Sequence, residues 1–254
     1  MIRRIPCAAA LLAAGTLACS NPAPPAPGPS ASDPARTVWQ LSPFALLQAG
    51  GYDGLMTVDE VRRHGDLGLA AADELNGEMV MVDGRLYQFL ADGRVAEAPG
   101  SMRLPFAEVT RWTGGRDIPV AAGQTYGASG MPGMGTLPAG ADAFYALRLE
   151  GTWDTVVVRT FHQQSRPYPP LDSAVHHQAV DTLINVRGTM AGFWQPAFAK
   201  GLSIPGYHLH VLSDDRAKGG HVLSFRAGNV RMQVAERPEF IVHLPPDAIR
   251  DVRH

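Results

Sequence analysis

Three histidines in the C-terminal half of the chain have the spacing of a metal site. His208 and His210 stand two residues apart within residues 206–212. Side chains alternate between the two faces of a β-strand, so both imidazoles would lie on one face, with Leu209 and Val211 on the other. Two histidines at this spacing also occur as ordinary polar residues on an exposed strand, and the pair alone favours neither interpretation.

A third histidine follows after a polar turn. Residues 214–220 form the turn, and His221 opens a second strand-like segment at 221–225. If the two strands pair antiparallel in the matching register, His221 lies beside His210 on the same face. Three imidazoles with one open position form the ligand set of a catalytic zinc site, and rigid strands hold such a set well. The remaining histidines show no such spacing and are expected at the surface or in loops: His64, His162, His176, His177, His243 and His254.

Two charged residues are candidates for acid–base or anion-binding roles beside such a metal. Glu78 begins a strand-like segment directly after the tight turn Asn76-Gly77, and Arg159 interrupts the β-branched run of residues 156–160. A charged residue in such a run faces either solvent or a functional cavity. The pattern alone favours a solvent-exposed or paired position for both side chains.

The elements that would position these residues predict an α/β (α+β) fold in two parts. Residues 38–140 contain a short helix that begins with the capping box Thr57 to Glu60, followed by strands separated by Asn-Gly and Asp-Gly turns. They are predicted to form a mixed sheet with short helices. Residues 141–254 are predicted to form a mostly antiparallel β part that carries the metal site. Strand-like segments of this part lie at 144–149, 156–160, 184–186, 207–212, 221–225, 230–234 and 240–244.

The N-terminal segment resembles an export signal rather than part of the fold. Arg3 and Arg4 precede a short apolar stretch that ends at Cys19, and residues 20–37 form a tether rich in Pro and Ala. The segment before Cys19 resembles a lipobox, which would make Cys19 the lipidated N-terminus of the mature protein. We therefore expect an exported protein that is periplasmic, anchored to the membrane as a lipoprotein, or secreted.

Composition excludes two other classes of site. The formal net charge is −2, which does not suit a surface that binds nucleic acid. Cys7 and Cys19 are the only cysteines, and both belong to the signal segment. The folded part therefore contains neither a disulfide nor a cysteine-ligated metal.

Five motifs point to one family. They are Gly65-Asp66-Leu67-Gly68-Leu69, Leu75-Asn76-Gly77-Glu78-Met79, Arg166-Pro167-Tyr168-Pro169-Pro170-Leu171, Pro205-Gly206-Tyr207-His208-Leu209-His210 and Gly219-Gly220-His221. In combination they resemble the alpha-acetolactate decarboxylases, and the resemblance extends from about Val38 to about Pro245.

The resemblance implies an activity and a set of roles. The activity is zinc-dependent decarboxylation of 2-acetolactate to (R)-acetoin and CO₂ through a metal-stabilised enediolate, carried out by a homodimer. His208, His210 and His221 match the family's three zinc ligands. Glu78 matches its acidic residue, and Arg159 matches its active-site arginine.

Two departures from the family pattern accompany these matches. Ala71 stands where the family has a threonine, so a hydroxyl is missing there. The family also has a glutamate near its C-terminal end, whereas the corresponding residues here offer only Asp247 and Asp251. That role is assigned to no residue.

Two alternative functions remain at the level of sequence. A cupin-type dioxygenase or isomerase also uses a His-x-His pair and a later histidine, but it places a glutamate a few residues after the pair, where this chain has Asp214 and Asp215. A non-catalytic, metal-binding envelope lipoprotein would leave Glu78 and Arg159 unexplained.

Overall fold

A computed structural model describes residues 32–127 and 142–246 of the chain. The predicted signal at 1–19 with Cys19, the tether up to residue 31, and both Asp247 and Asp251 lie outside the described residues. Within the described ranges, no helix has the length and apolar character needed to span a membrane.

The described residues form mainly β-strands. In chain order the strands are β1 (Thr37–Leu41), β2 (Met56–Thr57), β3 (Leu67–Ala71), β4 (Glu78–Val82), β5 (Arg85–Phe89), β6 (Val95–Glu97), β7 (Arg103–Leu104), β8 (Phe106–Thr110), β9 (Arg116–Ile118), β10 (Thr125–Tyr126), β11 (Tyr145–Thr160), β12 (Ala179–Gln195), β13 (Gly206–Ser213), β14 (Gly219–Glu236) and β15 (Glu239–His243). The helices are short: α1 (Phe44–Gln48), α2 (Val58–Val61) and α3 (Leu171–Val175), with 3-10 turns at Asp73–Leu75 and Ala197–Ala199.

The first sheet has seven strands in the order β15-β1-β8-β3-β4-β5-β6. Its strands pair antiparallel except that β1 and β15 run parallel, so the predicted mixed sheet is confirmed. The β4–β5 hairpin follows the predicted Asp-Gly turn, with Asp83 and Gly84 both at positive φ. One face of the sheet is covered by α2, whose predicted capping box between Thr57 and Glu60 is present.

The second sheet is antiparallel and has the order β10-β14-β11-β12-β13, with β9 also on β14. A further pairing joins β13 to β14, so β11, β12, β13 and β14 close on themselves. The predicted antiparallel C-terminal part is thereby confirmed. Three of its strands, β11, β12 and β14, are much longer than their sequence patterns indicate. In β11 the strand continues through irregular register between Gly151 and Thr155, where alternation is lost.

The two sheets exchange strands across the expected border at residue 140. β9 and β10 lie before that border but pair with β14, and β15 lies after it but pairs with β1. Because β15 follows β14 in the chain and pairs with β1, the chain returns to the first sheet after it has left the second. The division of the chain into parts 38–140 and 141–254 therefore stays a prediction. The two sheets do not follow this division, because each contains strands from both parts.

The core that matters for function lies between the sheets. Leu69 and Phe106 of the first sheet pack in one buried cluster with Ala146 and Phe193 of the second. Each of these side chains is at most 2% exposed. Polar side chains that enter this layer are shielded from water, and their interactions are correspondingly strong.

Candidate metal centre

The three histidines converge on the hairpin formed by β13 and β14. His210 lies directly opposite His221 in the register, so the predicted hairpin pairing is confirmed. His208 is two residues earlier on β13 and faces the same side, whereas Leu209 and Val211 are buried in the core behind it. The ring centroids of the three imidazoles lie 5.0 to 5.2 Å apart.

A backbone hydrogen bond fixes the orientation of His210. Its Nδ1 lies 2.7 Å from the carbonyl oxygen of Met79, so Nδ1–H donates and the lone pair is on Nε2. This Nε2 lies 3.1 Å from Nδ1 of His221. A partner of this kind on the far ring nitrogen is typical of histidines that bind metals.

A buried nitrogen of His208 also indicates that the cluster suits a metal, in addition to the hydrogen bond between His210 and Met79. Its Nδ1 is buried and has no hydrogen-bond partner among the described residues. One ligand atom from each of His208, His210 and His221 lies within 4.8 Å of the other two. In the described ranges this is the one group of His, Cys, Asp and Glu side chains close enough to share a metal ion. A buried, unsatisfied nitrogen among clustered imidazoles fits a metal ion, and three nitrogen donors with an open position suit catalytic zinc.

Burial keeps these imidazoles neutral. It lowers the pKa of His210 to about 3, with Arg159 acting in the same direction and the bond to Met79 opposing it. Burial also holds the pKa of His208 and of His221 well below the usual range, assisted by Arg159 and the neighbouring histidines. Neutral imidazoles offer the lone pairs that a metal requires.

Glu78 and Arg159 lie beside the histidines rather than in solvent. One carboxyl oxygen of Glu78, Oε2, is 3.7 Å from Nε2 of His210, and the other, Oε1, is 3.6 Å from Nε of Arg159. Glu78 is 6% exposed. The structure therefore pairs the two residues with each other at the cavity, and the solvent-exposed alternative is wrong for Glu78.

The pKa of Glu78 reflects two opposing influences. Burial raises the pKa to about 7, and the nearby positive charge of Arg159 lowers it. A metal cation among the histidines would also favour the carboxylate. Without a metal ion, the carboxyl group can therefore exist in both protonation states near neutral pH.

Arg159 is held between an aromatic ring and an amide. Its guanidinium lies 4.9 Å from the centroid of Phe161, and Nη1 donates a 3.3 Å hydrogen bond to Oε1 of Gln178. Its Nε is buried without a hydrogen-bond partner in the part of the chain that the structure describes. Donors of Arg159 therefore remain for an anion in the cavity.

Apolar side chains form most of the remaining cavity wall. They come from the first sheet, from α1 and α3, and from the turns and loops around them: Phe44, Leu47, Leu69, Leu75, Phe106, Phe161, Leu171 and Ile204. Ala71 also lines the wall, so the departure from the family's threonine leaves a methyl group at the site. An apolar wall excludes water and strengthens the electrostatic interactions of the few polar groups inside.

A strained turn precedes Glu78 and was not predicted. Glu74 and Leu75 have φ values of 58° and 51°, which non-glycine residues rarely adopt. Glu74 is held on both sides, because its N–H donates to Tyr52 and its carbonyl oxygen accepts from the N–H of Gln164, both at 2.8 Å. Leu75 enters the cavity wall through this turn. Leucine disfavours positive φ, so the sequence gives no indication of this turn. It also gives no indication that Gln178 contacts Arg159.

The other histidines that the structure describes lie apart from the cluster. His162, His176, His177 and His243 are exposed, as expected. His64 lies in the turn after α2, also as expected, and is partly buried because its ring stacks on Trp39 with a centroid distance of 3.9 Å.

The sequence and the fold are similar to those of known proteins. Residues 38–249 match the sequence profile of the family described as alpha-acetolactate decarboxylase. The alpha-acetolactate decarboxylase of Brevibacillus brevis is 34% identical over 230 residues, which cover 88% of this chain and 80% of that protein. The enzyme of the same name from Bacillus subtilis is 32% identical over 215 residues, covering 85% of this chain and 84% of the relative. The crystal structure of alpha-acetolactate decarboxylase from Bacillus subtilis strain 168 superposes with a TM-score of 0.74 at 28% identity, covering 85% of this chain and 97% of that one.

Proposed function

The chain belongs to the alpha-acetolactate decarboxylase family, and from this premise we propose that it converts 2-acetolactate to (R)-acetoin and CO₂ with a zinc ion. The observation that carries the proposal is the convergence of three neutral imidazoles beside a buried Glu–Arg pair. His208, His210 and His221 would hold the metal. When bound there, zinc would supply a Lewis acid for the oxygen on which negative charge grows as CO₂ leaves.

Arg159 is proposed to bind and orient the anionic substrate. Its guanidinium is always charged, and its Nε, which faces Oε1 of Glu78 at 3.6 Å, makes no hydrogen bond within the described ranges. A carboxylate entering the cavity gains charge-assisted hydrogen bonds from these donors. The contact with the Phe161 ring and the hydrogen bond to Gln178 limit the orientations that the guanidinium can adopt.

Glu78 is proposed to deliver the proton that replaces CO₂. Its carboxyl group lies next to both His210 and Arg159, so it is near any substrate held between them. Burial raises the pKa of this carboxyl group and the charge of Arg159 lowers it, so neither protonation state is strongly fixed and the group can give up and regain a proton. Delivery from one fixed side would give acetoin of a single hand.

The cupin alternative has no structural support. Asp214 and Asp215, which take the place of the glutamate in that pattern, are exposed in the turn. Asp214 pairs with Arg187 at 3.0 Å, and Asp215 accepts a hydrogen bond from Ser213 at 2.6 Å. Neither carboxylate joins the histidine cluster.

The activity is tested by measuring acetoin released from racemic 2-acetolactate, before and after removal of metal with a chelator. We expect activity that is lost on chelation and restored by zinc, with a single acetoin enantiomer as the product. A folded, zinc-loaded protein that releases no acetoin would contradict the proposed function and leave the metal-binding envelope protein as the better description.

Export and lipidation at Cys19 are a separate proposal. It is supported by the Arg3-Arg4 segment, the apolar stretch and the small residues before Cys19. Membrane fractionation of cells that express the full chain, compared with a Cys19→Ser variant, tests it. We expect the wild-type protein with the membranes and the variant in the soluble periplasmic fraction or the medium.

A homodimer, which the family resemblance implies, is also a proposal for this chain. Light scattering on the purified protein measures its mass directly. We expect about twice the mass of one chain, whereas the mass of one chain would contradict the homodimer.

A further inference from the structure

A threonine hydroxyl lies between the backbones of two neighbouring strands at the edge of the site. Oγ1 of Thr160 accepts a hydrogen bond from the N–H of Glu78 at 3.2 Å and donates one to the carbonyl oxygen of Phe89 at 2.7 Å. Glu78 and Phe89 face each other at the end of the β4–β5 hairpin. The hydroxyl therefore bridges the first and last residues of that hairpin.

Thr160 belongs to the other sheet and directly follows Arg159 on β11. The two charged residues of the site come from different sheets: Glu78 from β4 and Arg159 from β11. Thr160 is covalently attached to one of them and hydrogen-bonded to the backbone of the other. Thr160 therefore connects the backbone of Glu78 directly to that of Arg159.

The surrounding backbone leaves little freedom at this link. A Cβ on Gly77 would lie 2.1 Å from the carbonyl oxygen of Phe89, and Gly77 has a φ of 97°, so only glycine fits. The carbonyl oxygen of Asn76 accepts a 2.7 Å hydrogen bond from Nε2 of Gln88. The turn that leads into Glu78 is therefore held closely against β5, and Thr160 completes the contact from the second sheet.

We propose that Thr160 is a positioning residue that sets the carboxyl group of Glu78 relative to Arg159, an inference that rests on the proposed function. The carboxyl oxygen and the guanidinium nitrogen are 3.6 Å apart, a separation that a small movement of either backbone changes strongly. Proton delivery depends on the distance and angle to the accepting carbon, and a displacement of about 1 Å can lower a rate by about 100-fold. Without the hydroxyl, the N–H of Glu78 and the carbonyl oxygen of Phe89 would each lose a partner and would move to find others.

Thr160→Val tests this role, because valine keeps the shape of threonine and lacks the hydroxyl. We expect kcat to fall by about tenfold, KM to change by less than about threefold, and bound metal to stay at the wild-type level. Thr160→Ser keeps the hydroxyl and should restore kcat to within about twofold of wild type. Thr155→Val, on the same strand and away from the cavity, is the matched control and should leave kcat and KM unchanged.

A double variant separates positioning from general support of the fold. Glu78→Asp shortens the side chain by one methylene and displaces the carboxyl group by itself. If Thr160 acts through the position of Glu78, Thr160→Val should lower kcat several-fold less in the Glu78→Asp background than in the wild type. Thr160→Ala serves the same comparison if the valine variant does not fold.

Three results would overturn the inference. They are a Thr160→Val enzyme with wild-type kcat, an equal fold-loss in both backgrounds, and a loss fully explained by missing metal. A wild-type enzyme without decarboxylase activity would instead show that the proposed function has failed, so the two failures are distinguishable.

Discussion

Two glutamates, Glu78 and Glu108, are buried between the same two sheets in different surroundings. Glu78 lies 3.6 Å from the guanidinium of Arg159 and 3.7 Å from His210. Glu108 accepts hydrogen bonds from Gln195 and, at 3.5 Å, from Ser203, and none of the ion pairs found among the described residues includes it. Burial raises the pKa of Glu78 to about 7 and that of Glu108 to about 8.

The difference shows that burial alone does not make a carboxyl group part of an active site. Glu78 faces a cavity and has a permanent cation beside it, so its proton can move as charge develops nearby. The hydrogen-bond partners of Glu108 are neutral, and they attach β8 to the end of β12 and to the segment before β13. We therefore expect Glu78 to control turnover and Glu108 to control stability.

The largest expected effect is on turnover. Glu78→Gln removes the transferable proton and should lower kcat by about 1,000-fold while the bound metal is retained. Glu108→Gln should keep kcat within about twofold of wild type, because its hydrogen bonds do not reach the cavity. Steady-state kinetics on both variants measures this difference in kcat. Similar losses of kcat in the two variants would contradict the assignment of turnover to Glu78 and stability to Glu108.

The next effect concerns the cation that accompanies Glu78. Arg159→Ala should lower kcat/KM by about 100-fold with metal still bound, because substrate and developing charge lose their hydrogen-bond donors. Arg159→Lys keeps the charge without the planar set of donors and should fall between wild type and alanine. Arg148→Ala, on the same strand but paired with Asp83 and Glu150, is the control. Unchanged kinetics in Arg159→Ala would show that Arg159 neither binds the substrate nor stabilises the developing charge.

The third effect is a pH dependence of stability from Glu108. Because its pKa is raised on folding, the folded state keeps a proton that the unfolded state releases between pH about 4.5 and about 8. The free energy of unfolding should therefore be highest below this window, fall by on the order of 1 kcal/mol per pH unit through it, and level off above it. Glu108→Gln has no proton to lose and should be more stable than wild type at pH 8 by a few kcal/mol.

Urea unfolding at pH 5 and pH 8 measures this difference. Glu78 contributes a dependence of the same sign, but it is present in both proteins and cancels when wild type and Glu108→Gln are compared. An equal pH dependence in the two proteins would show that Glu108 is ionised in the folded state.

The smallest effect is expected at Ala71, directly opposite Glu78 in the β3–β4 register. Ala71→Thr restores the family's hydroxyl and should change kcat/KM by less than about fivefold, at a stability cost of about 1 kcal/mol for the added volume. Ala71→Val has the same volume without the hydroxyl, so the difference between the two variants measures the hydroxyl alone. Equal kinetics in both would show that it makes no useful contact beside Glu78.

The sequence predicts the parts of the site that depend on local pattern. Alternation on β13 and a turn of fixed length determine that His208 and His210 share a face and that His221 lies opposite His210. The capping box of α2 and the β4–β5 turn are local in the same sense.

The remaining features depend on contacts between distant segments. The pairing of Glu78 with Arg159 joins two sheets, and only the family resemblance indicates it before the structure is known. Glu108 alternates with apolar neighbours like a solvent-facing residue, although both faces of its strand are buried. Strand lengths were underestimated because β11 and β14 continue through polar and glycine-rich stretches that pairing on both sides keeps extended.

The central claim is that His208, His210 and His221 hold a catalytic metal ion. The most direct test is metal content by elemental analysis, measured together with acetoin formation, in wild type, His208→Ala and the exposed control His177→Ala. We predict about one zinc ion per chain and full activity in wild type and His177→Ala, with both lost in His208→Ala because two imidazoles do not retain the ion. Wild-type metal content and activity in His208→Ala would contradict the claim.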